Sequence, residues 1–229
     1  MARTWDGGIE IEPSIYAADL SRLGEQVSTM LDAGARIFHF DVGDGHFIKP
    51  ITMGPIVLQS ISKMIHDRDG RIDCHLMIEQ PDRHLEQLKE AGADSITFYL
   101  EAVDVTAPMI ERARALELDV GVAFNPETSV DRAAAAAEGA DIALCMSIHP
   151  GMSGQPFMPE SVGRIEQLRR LLPDDVPIQV DGGINLTEIR AVRDAGATLL
   201  VSGSSVFWAD DPGAAYRRLV AEARGEPAG

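Results

Sequence analysis

The sequence predicts an α/β protein that folds as a single (β/α)8 barrel, also called a TIM barrel. Strand-like and helix-like segments alternate along nearly all of its 229 residues and make eight strand–helix units. A Gly-Ala pair ends four of the predicted helices and leads into the next strand, beginning at Gly34, Gly92, Gly139 and Gly196. Glycine provides the left-handed turn that commonly terminates a helix, so this regular punctuation supports a repeated unit.

The first predicted strand covers residues 9–15, where isoleucine and glutamate alternate. Asp19 is expected to cap the first helix, whose apolar positions follow helical spacing as far as Gly34. The pattern then continues as a strand, a helix, a strand and a helix over residues 36–41, 55–65, 71–77 and 81–91. The later strands are predicted near 94–100, 119–124, 141–147, 176–181 and 198–202, and the later helices near 104–116, 128–138, 159–172, 186–195 and 212–223.

A doubly wound open sheet is the alternative fold. Such sheets usually have fewer strands, and no GxGxxG motif follows the first strand here. No linker or low-complexity segment divides the chain, so we expect one domain over residues 1–229, with a frayed tail at about 225–229.

Composition limits the classes of function. The formal net charge of −16 argues against nucleic acid as a partner, because such affinity comes largely from lysine and arginine. The chain has no apolar run long enough to span a membrane, and its N-terminus lacks the apolar core of a signal peptide. Only Cys74 and Cys145 are present, with no metal-type or disulfide-type spacing, so we expect a reducing, cytoplasmic compartment.

Histidine and aspartate residues stand at the carboxyl ends of three predicted strands, which is where barrels carry their chemistry. His39 and Asp41 point to the same side of one strand because side chains alternate along it. With His75 and Asp181 they make a two-nitrogen, two-oxygen set for one divalent metal ion. Zn²⁺ fits best, with Fe²⁺, Mn²⁺ or Co²⁺ as alternatives. Taken singly, His75 could be a hydrogen-bonded core histidine and Asp181 a helix cap.

Glycine-rich loops follow the last three predicted strands, at residues 150–155, 181–183 and 202–205. In barrels, loops at this position often hold a phosphate group through backbone N–H groups. Tight turns would need glycine as well, so the turn interpretation stays open. These loops contain no lysine or arginine, so amides and dipoles would have to meet the charge of a phosphate.

The motifs His-x-Asp, His-Leu-Met and Asp-Gly-Gly begin at His39, His75 and Asp181, and they are the most specific of several motifs between about residues 9 and 212. In this order the motifs resemble those of the ribulose-phosphate 3-epimerase family, which includes D-allulose-6-phosphate 3-epimerase. The runs at residues 73–77 (Asp-Cys-His-Leu-Met), 125–128 (Asn-Pro-Glu-Thr) and 154–157 (Gly-Gln-Pro-Phe) look at least as much like the allulose-phosphate relative.

The resemblance implies roles for individual residues. Asp41 and Asp181 would be the acid/base pair and also metal ligands, with His39 and His75 as the other ligands. The reaction would be metal-dependent epimerisation at C3 of a ketose phosphate, D-ribulose 5-phosphate to D-xylulose 5-phosphate, through an enediolate. Two carboxylates suit an inversion, since one removes a proton and the other returns one. The substrate-binding residues would be Ser14, His75, Met77, Met146, Ser153, Gly154, Gln155, Pro156, Gly182, Gly183, Gly203 and Ser204.

The chain departs from the family pattern around the expected sugar position. Gly43 stands where the family usually has methionine, and the absence of the methionine side chain is expected to leave room there. Tyr99 replaces a histidine, and Ser153 replaces a glycine of the phosphate loop. Lys49 is expected either to reach an anionic substrate or, like most loop lysines, to remain in solvent.

Two other interpretations stay open. The chemistry could be the same with another ketose phosphate, such as D-allulose 6-phosphate, or the barrel could bind a sugar phosphate without turnover. A decarboxylase of the orotidine-phosphate type would need an Asp-x-Lys-x-x-Asp run, and a Schiff-base aldolase would need a lysine at a strand end. Neither is present. As barrels of this sort often associate, we expect a homo-oligomer.

Overall fold

The barrel consists of eight parallel strands in one sheet. The structure is a computed structural model that describes Trp5 and residues 8–226. Each predicted strand is present with small shifts at its ends, so local alternation of apolar residues was a sound guide to the sheet. The strands are β1 (Glu10–Pro13), β2 (Ile37–Gly43), β3 (Arg71–Met77), β4 (Ser95–Tyr99), β5 (Asp119–Phe124), β6 (Ile142–Met146), β7 (Ile178–Asp181) and β8 (Leu199–Ser202).

The sheet curves until its first and second strands meet. Its hydrogen-bonded order is β1-β8-β7-β6-β5-β4-β3-β2. A parallel bridge between Ser14, just after β1, and His39 of β2 brings the two ends of the sheet together. The predicted (β/α)8 barrel is therefore confirmed, and the doubly wound open sheet is excluded. The domain boundaries at residues 1 and 229 stay a prediction.

Helices follow the strands at the predicted places, but several are shorter than expected. The first and third begin with single turns of 3-10 helix, Leu20–Arg22 and Pro81–His84. Asp19 accepts a hydrogen bond from the amide of Ser21, so it caps this 3-10 turn. The helices are α1 (Leu23–Ala33), α2 (Pro55–His66), α3 (Leu85–Ala91), α4 (Ala107–Ala115), α5 (Val130–Ala136), α6 (Ser161–Leu171), α7 (Ile189–Asp194), α8 (Ser204–Phe207) and α9 (Pro212–Arg224).

Side chains that point into the barrel form three layers. The lowest is an apolar cluster of Trp5, Ile37, Ile142 and Leu199. A polar layer lies above it, and the upper layer carries the strand-end residues. The register places His39 beside Asp73 and, one layer higher, Asp41 beside His75. The two candidate ligands of β2 therefore come from adjacent layers.

The last helix ends at the predicted tail. Gly225 adopts a left-handed conformation, and the amides of Gly225 and Glu226 donate to carbonyls of α9. The expected frayed segment of about 225–229 thus includes two residues bonded to the helix, and residues 227–229 lie outside those described. None of the helices in residues 8–226 is both long and apolar enough to cross a membrane.

Two glycines provide a test of how tightly the barrel interior is packed. A Cβ at Gly121 of β5 would lie 2.3 Å from Thr97 Oγ1, whereas one at Gly163 of α6 would meet nothing within 4 Å. We expect Gly121→Ala to lower the free energy of unfolding by about 1–3 kcal/mol. Gly163→Ala should raise it by up to about 1 kcal/mol. Urea denaturation measures both, and equal effects would contradict this account of the interior.

Candidate active site

Four predicted side chains converge at the carboxyl ends of β2, β3 and β7. His39 Nε2 lies 3.1 Å from His75 Nδ1 and 3.4 Å from Asp41 Oδ1. Asp181 Oδ2 lies 3.6 Å from the same nitrogen of His75 and 3.9 Å from that of His39. One donor atom from each of the four residues lies within 4.8 Å of all the others. The sequence prediction that these residues share one centre is consistent with this geometry.

The donor atoms suit a divalent metal ion. Donors about 2.0–2.2 Å from a tetrahedral Zn²⁺ would lie about 3.3–3.6 Å from one another, close to the separations found here. Two imidazole nitrogens at 3.1 Å would also be a poor arrangement without a shared proton or cation. The cluster could therefore hold one metal ion, and imidazole with carboxylate suits Zn²⁺ or a neighbouring transition metal.

The two carboxylates of the cluster have different surroundings. Ser14 Oγ donates a 2.6 Å hydrogen bond to Asp41 Oδ2. Burial acts to raise the pKa of Asp41, but the charges of His39 and His75 outweigh it, so this pKa lies below its usual range. Burial raises the pKa of Asp181, despite the opposing effect of His39, and the negative charge of Asp41 adds to the rise. The side chain of Asp181 is 18% exposed, so it is the more accessible of the two.

Two buried carboxylates below the cluster were missed by the sequence reasoning. Glu12 Oε2 and Asp73 Oδ2 lie 3.6 and 3.5 Å from His39 Nδ1, on the opposite side of the ring from Asp41. Burial acts to lower the pKa of His39, but the surrounding carboxylates raise it well above 6.5. Burial raises the pKa of Glu12 to about 7. Side-chain alternation was the available signal, because along β1 and β3 it places both acids on the side that faces the barrel interior.

A cleft runs from the two aspartates to the glycine-rich loops. The predicted substrate residues on its lining are Ser14, Met77, Met146, Ser153, Gly154, Gly182, Gly183, Gly203 and Ser204. Tyr16, Ile148, Ile184 and Val201 also line it and were not predicted. The glycine loops and the two aspartates therefore line one and the same cleft.

Three of the predicted substrate residues do not line this cleft. His75 is fully buried beneath it, which fits a ligand position better than contact with a substrate. The side-chain amide of Gln155 donates to the carbonyls of His149 and Met152, at 2.8 and 2.9 Å, so it braces its own loop. Pro156 follows that loop away from the lining.

The space beside Gly43 is filled, so the expectation of extra room there was wrong. A Cβ at Gly43 would lie 2.6 Å from Ile48 Cδ1 and 3.1 Å from Thr52 Cγ2. Ile48 is buried and belongs to an apolar cluster that includes Met77, Met146 and Ile148. A loop residue thus supplies the bulk that the strand residue lacks.

The other departures have separate positions. The ring of Tyr99 stacks on His75, with centroids 5.2 Å apart, and its hydroxyl is buried without a partner among the described residues. The ring of Phe47 also packs against the ring of Tyr99, with centroids 4.7 Å apart. Ser153 lines the cleft, whereas Lys49 is exposed and absent from its lining. The solvent position expected for Lys49 is thus the one observed.

A closed barrel with this centre at the carboxyl ends of its strands defines a (β/α)8-barrel enzyme. The chain belongs to the ribulose-phosphate 3 epimerase family, whose model matches residues 10–207. The isomerase class predicted from the motifs is confirmed by this membership and by the relatives below. The metal and acid/base roles of individual residues remain proposals.

Among the chain's relatives is the ribulose-phosphate 3-epimerase of Schizosaccharomyces pombe, 37% identical over 203 residues, which are 89% of each chain. The protein of that name from Escherichia coli K12 is 35% identical over 219 residues, 94% of this chain and 95% of the relative. A crystal structure of 3-hexulose-6-phosphate synthase superposes with a TM-score of 0.72 at 24% identity, covering 93% of this chain and 99% of the other. That structural likeness supports the fold alone.

The contact between Gly43 and Ile48 predicts a coupled pair of substitutions. Gly43→Ala should lower the free energy of unfolding by about 1–3 kcal/mol, since the new methyl group would collide with Ile48 Cδ1. Ile48→Val removes that carbon, so the double variant should lose less stability than the sum of the two single variants. Denaturant unfolding of all four proteins measures this coupling, and simple additivity would contradict it.

Proposed function

We propose that this protein is a metal-dependent 3-epimerase that interconverts D-ribulose 5-phosphate and D-xylulose 5-phosphate. The observation that carries the proposal is the convergence of His39, Asp41, His75 and Asp181, whose two aspartates line the cleft. Membership of the family and the names of the relatives support the substrate. The glycine-rich loops that line the same cleft would receive the phosphate.

In the proposed mechanism the two aspartates act on C3 of the ketose. One carboxylate removes the C3 proton and the other delivers a proton to the opposite face, which inverts the centre. Ser14 holds Asp41 through its 2.6 Å hydrogen bond and thereby limits the directions in which this carboxylate can point. Asp181 lies on β7, which is separated from β2 by β8 and β1 in the closed barrel, so the two acids approach the substrate from different strands.

His39, Asp41, His75 and Asp181 are the proposed ligands of one divalent metal ion, most simply Zn²⁺. Held by these residues, such an ion would act as a Lewis acid and would stabilise negative charge on the substrate oxygens. The chain's own contribution is to hold two imidazoles and two carboxylates within 4.8 Å before any ligand arrives.

The second candidate keeps the reaction and changes the sugar to another ketose phosphate, such as D-allulose 6-phosphate. The replacement of histidine by Tyr99 and the Ser153 hydroxyl at the cleft favour keeping this candidate. Gly43 does not provide room for a larger sugar, because Ile48 occupies the space beside it. A binder without turnover is the third interpretation. Cytoplasmic localisation and homo-oligomerisation stay predictions from the sequence.

Removal of the metal tests whether the reaction depends on a metal ion. Exhaustive chelation should abolish epimerisation, and one equivalent of Zn²⁺, Fe²⁺, Mn²⁺ or Co²⁺ per chain should restore it. Elemental analysis gives the stoichiometry, and a coupled assay gives the activity. His66→Ala is a matched control, because this histidine pairs with Asp94 far from the cluster, and it should leave both values unchanged. Full activity in a metal-free protein would overturn the proposed metal dependence.

Exchange with deuterated water tests the chemistry and the substrate together. Incubation of ribulose 5-phosphate or allulose 6-phosphate with the enzyme in deuterated water should place deuterium at C3 of the true substrate, which NMR detects. Asp41→Asn and Asp181→Asn should each slow this exchange by about 10²–10⁴-fold, the usual effect of losing an acid/base group.

The outcomes of this exchange experiment separate the three interpretations. Faster exchange with allulose 6-phosphate would select the second candidate. Saturable binding of a ketose phosphate with no deuterium at C3 would select the non-catalytic one. Asp104→Asn, a loop residue outside the cleft lining, is the control and should exchange at the wild-type rate.

A further inference from the structure

The underside of His39 is built from three buried polar side chains. Glu12 of β1, Asp73 of β3 and Gln179 of β7 point into the barrel, and each is 0% exposed. None of them is on the lining of the cleft, so they have no contact with a substrate bound there. Buried charge is costly unless it is paired, so two fully buried carboxylates in this layer require a structural or functional reason.

The three side chains converge on two oxygen atoms. Gln179 Nε2 donates to Glu12 Oε2 at 2.6 Å and to Asp73 Oδ2 at 2.9 Å. His39 Nδ1 faces the same two oxygens at 3.6 and 3.5 Å, slightly beyond ordinary hydrogen-bond length. It has no other partner among the described residues. The amide of Gln179 thus fixes both oxygens beneath one imidazole nitrogen.

Asp73 is the better anchored of the two carboxylates. Its Oδ1 accepts from Ser95 Oγ at 2.7 Å and from Thr97 Oγ1 at 3.2 Å. With Oδ2 bound to Gln179, both oxygens of Asp73 are held by donors from β4 and β7. A shift of a few tenths of an ångström in the imidazole ring would bring Nδ1 into hydrogen-bond range of either acid.

The arrangement determines which nitrogen of His39 keeps its proton. A lone pair on Nδ1 would face two carboxylate oxygens and be repelled, whereas an N–H there is attracted to both. Nε2 is then the nitrogen with a free lone pair, and it is the one that faces Asp41, His75 and Asp181. His75 has no such support, because its Nε2 is buried without a partner in the described part of the chain.

We propose that Glu12 and Asp73, held by Gln179, are positioning residues that keep the proton of His39 on Nδ1 and present Nε2 to the metal ion. The inference rests on the proposed function for the identity of the centre. Partners of this kind orient a metal-bound histidine, and their loss typically weakens metal affinity by about 10–100-fold. His39 is therefore the fixed ligand of the pair, and His75 the one positioned mainly by packing against Tyr99.

A second cation between Glu12, His39 and Asp73 is the competing interpretation, since three donor atoms of these residues also lie within 4.8 Å. Such an ion would need the two oxygens that already accept from Gln179. It would also need Nδ1 without a proton, which would leave both nitrogens of one ring bound to metal. The number of metal ions per chain separates the two interpretations.

The test uses full-length protein and no substrate, so a failed epimerase assay cannot affect its outcome. The variants are Glu12→Gln, Asp73→Asn and the double variant. Asp141→Asn is the matched control, because Asp141 is a buried carboxylate that accepts from Arg114 and from the amide of Val120, away from His39. Zn²⁺ affinity is measured by competition with a chromophoric chelator, and thermal unfolding verifies that each protein is folded.

Loss of negative charge alone would also weaken cation binding, so a second measurement reads the proton itself. NMR of Zn²⁺-loaded protein with ¹⁵N-labelled histidine reports whether Nδ1 of His39 carries a slowly exchanging hydrogen, and the signal is assigned by its absence in His39→Gln. A structural role for Glu12 and Asp73 would leave this signal in place.

We expect one Zn²⁺ per wild-type chain, a protected Nδ1–H signal, and affinities about 10-fold weaker in each single variant and about 100-fold weaker in the double variant. The signal should be lost or exchange rapidly in the double variant, and Asp141→Asn should bind Zn²⁺ within about twofold of the wild type. Unchanged affinity and an unchanged signal in the folded double variant would overturn the proposal, as would two Zn²⁺ ions per wild-type chain.

Discussion

The structure of the site depends on four carboxylates, three of them buried, that surround one imidazole. Asp41 and Asp181 face Nε2 of His39, and Glu12 and Asp73 face its Nδ1, all between 3.4 and 3.9 Å. Each buried charge costs several kcal/mol unless it is compensated. Among the described residues, the ion-pair partners of these four carboxylates are His39 and His75 and include no lysine or arginine. The proposed divalent cation on the Nε2 side and the proposed proton on the Nδ1 side would compensate these charges.

The barrel makes this concentration of charge possible because it stacks inward-facing residues in layers. The pairing of β2 with β3 brings His39 beside Asp73 and Asp41 beside His75. The strand register therefore places the upper layer directly above the polar layer. The apolar cluster with Trp5 closes the bottom of the barrel. A second apolar cluster with Ile48 and Tyr99 surrounds the upper layer. The charges are thus enclosed in a low-dielectric environment, which strengthens their interactions.

The strands, the helices and the four candidate ligands could be predicted from local features of the sequence. These features are the alternation of side chains along strands, the glycines that end helices and the polar residues at strand ends. Glu12 was missed because a strand in which glutamate alternates with isoleucine suggests a half-exposed strand, and only closure of the barrel turns the glutamate face inward. The filling of the space beside Gly43 by Ile48 depends on loop packing, which no periodicity encodes. The contacts of Gln155 depend on loop packing in the same way, since its side chain donates to a carbonyl of its own loop, and its predicted substrate contact stays a prediction.

The proposed division of the cleft between chemistry and phosphate binding is consistent with these charges. A sugar phosphate is an anion, so the two carboxylates would repel its phosphate, whereas the backbone amides of the glycine-rich loops that line the same cleft would attract it. Those loops contain no lysine or arginine, and the chain carries a formal charge of −16. Long-range attraction would thus contribute little to the binding of a sugar phosphate, and its affinity would come from short-range contacts with backbone N–H groups and hydroxyls. Such contacts orient the ligand closely, which is what proton transfer at a single carbon demands.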